Sequence, residues 1–500
     1  MDLVLTVAQD ILSPLNLLVL FAGVVGGMVV GAIPGLTVTM AIALSIPFTL
    51  SMGPTPSLLM LLGIYCAGTY GGSISAILLN APGTPACAAT AADGYELAKQ
   101  GKAYKALRMA IIASIYGGLF STAVLIVLAP QIAEFALRFG PPELAMLLVF
   151  SLTVVGSLSG DSIPKGLFAA ALGMALATVG SDPMLAVPRF TFGQFELFDG
   201  FAYIPLLIGL FALAEMFGQA ESGFRTGGAL MPLKGADPEG SRVTRDDLRR
   251  CAIPIFRSGF LGVFVGILPG LGSSIATFLG YAETKRVAKD PSRFGKGAIE
   301  GVAASESANN AVTGATLIPL LALSIPGDGV TAIILGAFLI QGVTPGPLIF
   351  LQNPDIVYTV YLGLIAANIL MGIVAVVAMR PMVTVLKVPK RVLYPIILMV
   401  CVAGSYAIRN NVFDVYVMLG AGLLGYVLRL FNIPVAPLLV AFILTRPFEE
   451  ALRQALVSSE GDLTVFVTRP IAAFFVVLTV LAILFTARRN LRGGGLRTGD

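Results

Sequence analysis

The sequence predicts an all-α polytopic membrane protein: two inverted-topology repeats with broken or re-entrant helices, about 11 full crossings plus hairpins. Three observations lead there. Of the 500 residues, 56% are hydrophobic and only 12% are charged, with a mean hydropathy of +0.89, whereas soluble domains carry about 25% charge. The apolar runs are long and unbroken, as at 105–130 and 356–379, without the strict alternation of a barrel strand. A Gly-x-x-x-Gly-x-x-Pro-Gly-Leu pattern also occurs twice, from Gly27 to Leu36 and from Gly262 to Leu271, at one register (262 − 27 = 235; 269 − 34 = 235).

Apolar segments follow one another near 15–33, 37–50, 58–80, 104–130, 143–158, 163–180 and 203–219 in the first half. In the second half they lie near 252–269, 271–282, 299–325, 328–342, 356–380, 392–408, 413–430, 433–446 and 467–487. A crossing takes about 20 residues, so 37–50, 271–282 and 328–342 are expected to be broken or re-entrant helices. Between the halves, 220–250 is the most hydrophilic internal stretch and reads as a cytoplasmic linker. The domains are therefore 1–219, a first transmembrane repeat; 220–250, the linker; 251–487, a second repeat with extra C-terminal helices; and 488–500, a basic cytoplasmic tail. A second echo, Asn80 to Gly83 against Ser324 to Gly327, is offset by 244 (324 − 80), a small insertion relative to the first.

Charge gives each repeat an orientation. The loop at 51–57 has no charge, while its counterpart holds Lys285, Arg286, Lys289, Arg293 and Lys296. After the second motif the pattern reverses: Lys99, Lys102, Lys105 and Arg108 in the first half, an uncharged 342–347 stretch in the second. Cytoplasmic loops are enriched in Lys and Arg, so equivalent loops are expected on opposite sides, with a periplasmic N-terminus and a cytoplasmic C-terminus.

Pro-Gly inside an apolar run interrupts a helix. Such interruptions are tolerated at membrane depth only where protein or a water-filled cavity covers the freed backbone. Four occur in two matched pairs: Pro34-Gly35 with Pro269-Gly270, and Pro82-Gly83 with Pro326-Gly327. Matched interruptions point to a midplane binding site; the alternative is kinks filled by packing. Helix N-termini there offer free N–H groups to a carboxylate. Thr37, Thr39, Thr84, Ser273 and Ser274, with Gly272, follow the breaks and add hydroxyls or close approach. Carbonyls with Asn80, Asn309 and Asn310 form an oxygen set for sodium, and Ser73, Ser75 and Thr313 complete the candidate substrate and ion ligands. Glu306 is a charge in an apolar run, which defaults to function: a cation ligand, a proton carrier or a partner for helix ends. Asp328 either caps the next helix or serves the site. Gly23, Gly27, Gly31 and Gly35 form an i, i+4 stripe that Ser258, Gly262, Gly266 and Gly270 repeat; within them Gly23, Gly27, Gly262 and Gly266 are assigned to close helix packing.

No histidine is present and the cysteines Cys66, Cys87, Cys251 and Cys401 are scattered. No catalytic residue and no metal centre is assigned beyond the sodium site, and no P-loop suggests ATP hydrolysis. A net charge of +4 gives no argument for nucleic acid. An ion-coupled permease is the leading reading, beside a stand-alone cation-coupled symporter, a channel and an intramembrane enzyme. No cofactor is expected other than Na+ or H+ as coupling ion.

The residues from Gly31 to Thr37, Tyr70 to Ala76, Asn80 to Pro85, Gly266 to Gly272, Glu300 to Ala311 and Gly342 to Pro347 resemble the large membrane subunit of tripartite tricarboxylate transporters. The resemblance implies import of a small tri- or dicarboxylate across the bacterial inner membrane, driven by an ion gradient, generally sodium. It also implies two partners, a small four-helix membrane subunit and a periplasmic solute-binding protein. The family pattern Gly-Ile-Pro-Gly-Ser here reads Ser324 to Asp328, and Gln341 stands where a His often precedes the Gly-x-x-Pro-Gly-Pro run. Asp328 brings negative charge toward the presumed anion site, which favours a less charged substrate or a stronger cation site.

Overall fold

The computed structural model describes residues 2–158, 162–221, 242–386, 388 and 390–493. The 222–241 part of the expected linker and the 494–500 part of the expected basic tail lie outside them. The described chain is almost entirely helical. In order come α1 Asp2–Ile11, α2 Pro14–Ala32, α3 Val38–Thr49, α4 Pro54–Leu79, α5 Ala88–Lys99, α6 Ala103–Ala136, α7 Pro141–Leu158 and α8 Ile163–Ala177. A small antiparallel pair, β1 Gly180–Ser181 with β2 Pro188–Arg189, precedes α9 Tyr203–Leu207. A π-helical stretch at Ile208–Leu213 runs from α9 into α10 Ala214–Glu221. Then follow α11 Arg245–Ile267, α12 Gly272–Val287, α13 Ile299–Ala315, α14 Leu317–Leu323, α15 Gly329–Ile340, α16 Ile349–Gln352, α17 Pro354–Val377, α18 Met379–Val385 and α19 Lys390–Arg409. The chain ends in α20 Val412–Leu430, α21 Val435–Ser458, α22 Val465–Thr468 and α23 Pro470–Gly493.

Eight helices among the described residues are long and apolar enough to cross a membrane, from Pro14–Ala32 to Val412–Leu430. The segments expected to be short are short: α3 and α15 have 12 residues each and α12 has 16. At 1.5 Å per residue, α3 and α15 are about 18 Å long, against a hydrocarbon core of about 30 Å.

The chain packs as two compact units, Met1–Ala133 with Glu215–Ile408, and Glu134–Ala214 with Arg409–Asp500. Each draws on both halves of the sequence. In the first, α2 lies against α4 and α11 against α13. The glycine stripes make these close approaches: a Cβ on Gly27 would fall 2.6 Å from the Ile64 backbone, and one on Gly262 would fall 2.5 Å from the Ala308 carbonyl.

Hydrogen bonds sort the loops of this unit by charge. Asp93 accepts the N–H groups of Gly295, Gly297 and Ala298 at 2.8–2.9 Å, Gln100 donates to the Lys296 carbonyl, and Lys105 pairs with Asp247 at 2.7 Å. The basic segments around 99–108, 245–250 and 285–296 thus meet. Gln341 donates to the Thr49 carbonyl at 2.9 Å and to Ser57 Oγ at 3.0 Å, which joins the uncharged loops at 51–57 and 342–347. Contacts between α4 and α13, Tyr65 with Thr316 and Ser73 with Glu306, run antiparallel. The start of α13, which the basic 285–296 segment precedes, is therefore at the end of α4 remote from the Gln341 contact.

In the second unit α8 packs on α21, where a Cβ on Gly173 would strike the Leu438 carbonyl at 2.0 Å. The π-helical stretch packs on α20 through Gly209 and the Met418 carbonyl. The loop between α8 and α9 is pinned by ions: Arg453 pairs with Asp182 at 2.8 Å and Arg189 makes two hydrogen bonds to Glu449. The N–H groups of Leu185 and Met184 and the Arg453 guanidinium hold the Asp182 carboxyl below the ordinary carboxylate range.

Candidate functional site

The four interruptions fall where the sequence puts them, with matching backbone in the two halves. After α2, Gly35 has φ +90°; after α11, Gly270 has φ +83° and Gly272 φ +67°, a region only glycine enters freely. α4 ends on Asn80 with φ 52° and α14 on Ser324 with φ 59°, the left-handed conformation in which helices commonly terminate. Pro82-Gly83 and Pro326-Gly327 follow. Asp328 then caps α15: its Oδ1 accepts the Thr331 N–H at 2.8 Å while Thr331 Oγ1 accepts the Asp328 N–H at 2.9 Å. Its Oδ2 accepts from Tyr65 at 3.0 Å, so the capping alternative for Asp328 is realised.

All four lie in the first unit and pack crosswise. The helix after the first, α3, lies on α15, which follows the fourth. The helix after the third, α12, lies on the Pro85–Cys87 turn and α5, which follow the second. The Gly270 N–H donates to the Gly327 carbonyl at 2.8 Å. Gly83 is so close to Gly31 that an added Cβ would be 2.1 Å from the Gly31 oxygen. While α4 and α13 are almost wholly buried, Pro34, Gly35, Thr37, Thr39, Thr84, Gly270, Gly272, Ser273, Ser274 and Asp328 are half-buried. Thr37 caps α3 by accepting the Met40 N–H. Thr84 lies 3.2 Å from Cys87 Sγ. Thr39, Ser273 and Ser274 make no side-chain hydrogen bond among the described residues, which leaves accessible hydroxyl donors beside helix N-termini.

Deeper in the same unit a polar network surrounds Glu306, which is fully buried. Ser73 donates to its Oε1 at 2.5 Å, Thr90 donates to the same oxygen, and Ser114 donates to Oε2 at 3.1 Å. Among the described residues no lysine or arginine pairs with it. One turn on, Asn310 donates to Ser114 at 2.8 Å, and Asn309 donates to the Thr69 carbonyl and to Cys87 Sγ. The side-chain oxygens of Asn309 and Asn310 are buried and have no hydrogen-bond partner among the described residues. Buried polar atoms are nearly always satisfied, so two orphaned acceptors beside an uncompensated carboxylate make a cluster suited to a small cation, which takes oxygen ligands.

Some expected residues do not join this cluster. Asn80 is exposed and sits eleven residues past Thr69 on the line of α4, about 16 Å away by helical rise. The structure therefore does not bring Asn80 together with Asn309 and Asn310. Ser75 and Thr313 turn their hydroxyls back to the carbonyls of Gly72 and Asn310, as hydroxyls in apolar helices often do. Tyr65, Thr90 and Ser114 were not expected. Ser114 is one of three Ser or Thr hydroxyls in the apolar 104–130 run, with Ser121 and Thr122, and Thr90 stands among alanines; neither pattern singles out a partner for Glu306, and Tyr65 offered no signal.

A family model described as the tripartite tricarboxylate transporter TctA family matches residues 17–440. An uncharacterised 52.8 kDa protein of the TAR-I ttuC′ 3′ region of Agrobacterium vitis is 40% identical over 487 residues, covering 97% of this chain and 95% of the relative. A second Agrobacterium vitis protein, from the TAR-II ttuC′ 3′ region, is 42% identical over 231 residues, covering 46% of this chain and 96% of its own. No solved structure matches the chain.

Proposed function

The chain belongs to the tripartite tricarboxylate transporter TctA family, a family of transporters and not of enzymes, and from that premise we propose that it imports a small organic carboxylate, coupled to sodium entry. The family makes it a large membrane subunit. A small four-helix membrane subunit and a periplasmic solute-binding protein are the proposed partners, and the inner membrane is the proposed location.

The observation that carries the reading is the crosswise packing of the four interruptions. It leaves half-buried helix N-termini beside the interruptions, with the hydroxyls of Thr39, Ser273 and Ser274 in the first turns of the helices that follow them, and donors of that kind recognise carboxylates. The recurrence of Gly35 with Gly270, and of Asn80 with Ser324, supports two inverted repeats. The segregation of basic from uncharged loops supports cytoplasmic placement of the 99–108 and 285–296 segments, and with it a periplasmic N-terminus and a cytoplasmic C-terminus. For the coupling ion, the orphaned oxygens of Asn309 and Asn310 favour Na+ over H+, since a proton leaves both amide oxygens without a partner.

The test is uptake of a carboxylate panel by proteoliposomes holding the chain and both partners. A sodium gradient should drive accumulation and a potassium gradient should not. Equal uptake under both gradients rejects sodium coupling, and loss of discrimination among carboxylates when the binding protein is omitted locates specificity there. Replacing Ser273 and Ser274 together by Ala should raise the half-saturating substrate concentration; an unchanged value removes these hydroxyls from the site.

A further inference from the structure

Beside the crossing of α11 and α12, on the outer face of the first unit, lies a groove of ≈ 580 Å³ walled by Phe256, Phe260, Leu261 and Leu279 and edged by Arg257 and Arg286. Its origin is local. Gly280 lets the helices close on Ser258, with a Cβ there only 3.1 Å from the serine side chain. The larger neighbours on either side then stand apart and leave a furrow. Phe256 and Phe260 are 56% and 59% exposed, on a helix long and apolar enough to span the bilayer.

The charges in this furrow do not cancel. Arg286 is tied to Glu283 by two hydrogen bonds, Nε at 2.9 Å and Nη2 at 2.7 Å, so that pair is neutral. Arg257 is exposed and has no ion pair or hydrogen bond among the described residues. An arginine within a spanning segment is expensive unless its head reaches an interface or a counter-ion. Arg257 shares its groove with Arg286 in the last turn of α12, where the basic run Lys285, Arg286 and Lys289 begins, so its long side chain lies on the side of the basic end of α12, toward which it can snorkel. The geometry points to a binding site for an anionic phospholipid: phosphate on Arg257, one acyl chain along Phe256, Phe260 and Leu279. A soluble anion would leave the aromatic walls unfilled, and a zwitterionic lipid would leave the arginine without net compensation. This site is independent of the substrate reading and rests only on the chain being a multi-pass membrane protein.

The full-length chain in neutral detergent, titrated with phosphatidylglycerol and followed by native mass spectrometry, tests it. The wild type should bind phosphatidylglycerol more tightly than phosphatidylcholine, and Arg257→Gln should weaken the former by about fivefold, the effect of one basic residue at an anionic surface. Lys289→Gln, outside the groove, should bind as the wild type does. If Arg257→Gln is not monodisperse, Ala282→Trp, which fills the furrow and keeps the arginine, should also lose the lipid. Equal binding of the two lipids by the wild type, or unchanged binding in both groove variants, overturns the site. So does stabilisation by inorganic phosphate alone to the same degree. So does crosslinking of position 260 to the small membrane subunit with no lipid retained, which would make the groove a protein interface.

Discussion

The Gly270 N–H and the Gly327 carbonyl meet at 2.8 Å, so two helix interruptions of the second half satisfy each other's backbone. In the first half Gly83 donates to the Gly72 carbonyl and presses on Gly31, just ahead of the other interruption. Broken helices at membrane depth persist only when their freed polar groups are covered. Here the cover is largely backbone, which is why glycine and not merely a small residue is required.

Gly83→Ala tests that requirement. Its Cβ would sit 2.1 Å from the Gly31 oxygen and 2.8 Å from Gly72 Cα, both main-chain atoms that cannot swing aside. The expected loss is about 1–3 kcal/mol, as for overpacking elsewhere, read as a lowered thermal midpoint in detergent. Gly26→Ala meets nothing within 4 Å and should match the wild type. Gly23 is no such control, because its Cβ would lie 2.4 Å from the Met60 carbonyl. A Gly83→Ala protein as stable as Gly26→Ala would mean the two interruptions can separate without penalty.

Asp328→Ser restores the residue that the family pattern has at this position. Serine and aspartate are about equally good N-caps, so α15 should keep its start and the melting temperature should hold. The negative charge near the interruptions disappears, and competition assays should show a shift in preference toward more highly charged carboxylates. A melting temperature well below wild type would show that the Tyr65 contact, not the cap, is what Asp328 supplies. Unchanged selectivity would show that its charge does not reach the substrate.

The legible part of this protein was its helices and their breaks. Long apolar runs mark α2, α4, α6, α11 and α17, and Pro-Gly pairs mark the interruptions because proline removes a backbone donor and glycine enters non-helical backbone freely. The lateral arrangement was not legible. In lipid every helix face is apolar, so hydropathy does not say which helix lies beside which, and nothing in the run of residues foretold that each compact unit draws on both halves. The network at Glu306 shows the same limit. Glu306, Ser73, Asn309 and Asn310 were picked out individually, but Thr90 and Ser114 reach that carboxylate from helices distant in sequence, and a single hydroxyl in an apolar helix is usually bonded to its own backbone. The π-helical stretch at Ile208–Leu213 left no mark distinct from an ordinary helix.

The ion cluster of the second unit carries a pH dependence. Asp182 is held below its ordinary range by the Leu185 and Met184 N–H groups and by Arg453, so its contribution is present above the unfolded-state value, about 3.9. That contribution is lost as pH falls through the lower folded-state value. Limited proteolysis of the 182–199 loop should therefore be slow at neutral pH and accelerate below about pH 4. In Asp182→Asn it should be fast throughout. Proteolysis of the wild type that quickens already at pH 6 would mean another group controls the loop.

Glu306→Gln separates a functional carboxylate from a structural one. Ser73, Thr90 and Ser114 are hydroxyls that can rotate to accept as well as donate, so an amide of the same shape can be accommodated. A buried charge with hydrogen bonds but no counter-ion among the described residues is a net cost to the fold; removing it should leave the thermal midpoint unchanged or raise it. If Glu306 supplies the charge that draws a cation toward the Asn309 and Asn310 oxygens, the variant should nevertheless lose uptake by more than about tenfold, since one charge–cation contact at an effective dielectric near 20 is worth several kcal/mol. It should also lose the stabilisation that added Na+ gives the wild type. A variant with a falling melting temperature and proportionate loss of uptake would make Glu306 an anchor between α4, α5, α6 and α13. One with full uptake and intact sodium stabilisation would remove the carboxylate from coupling altogether.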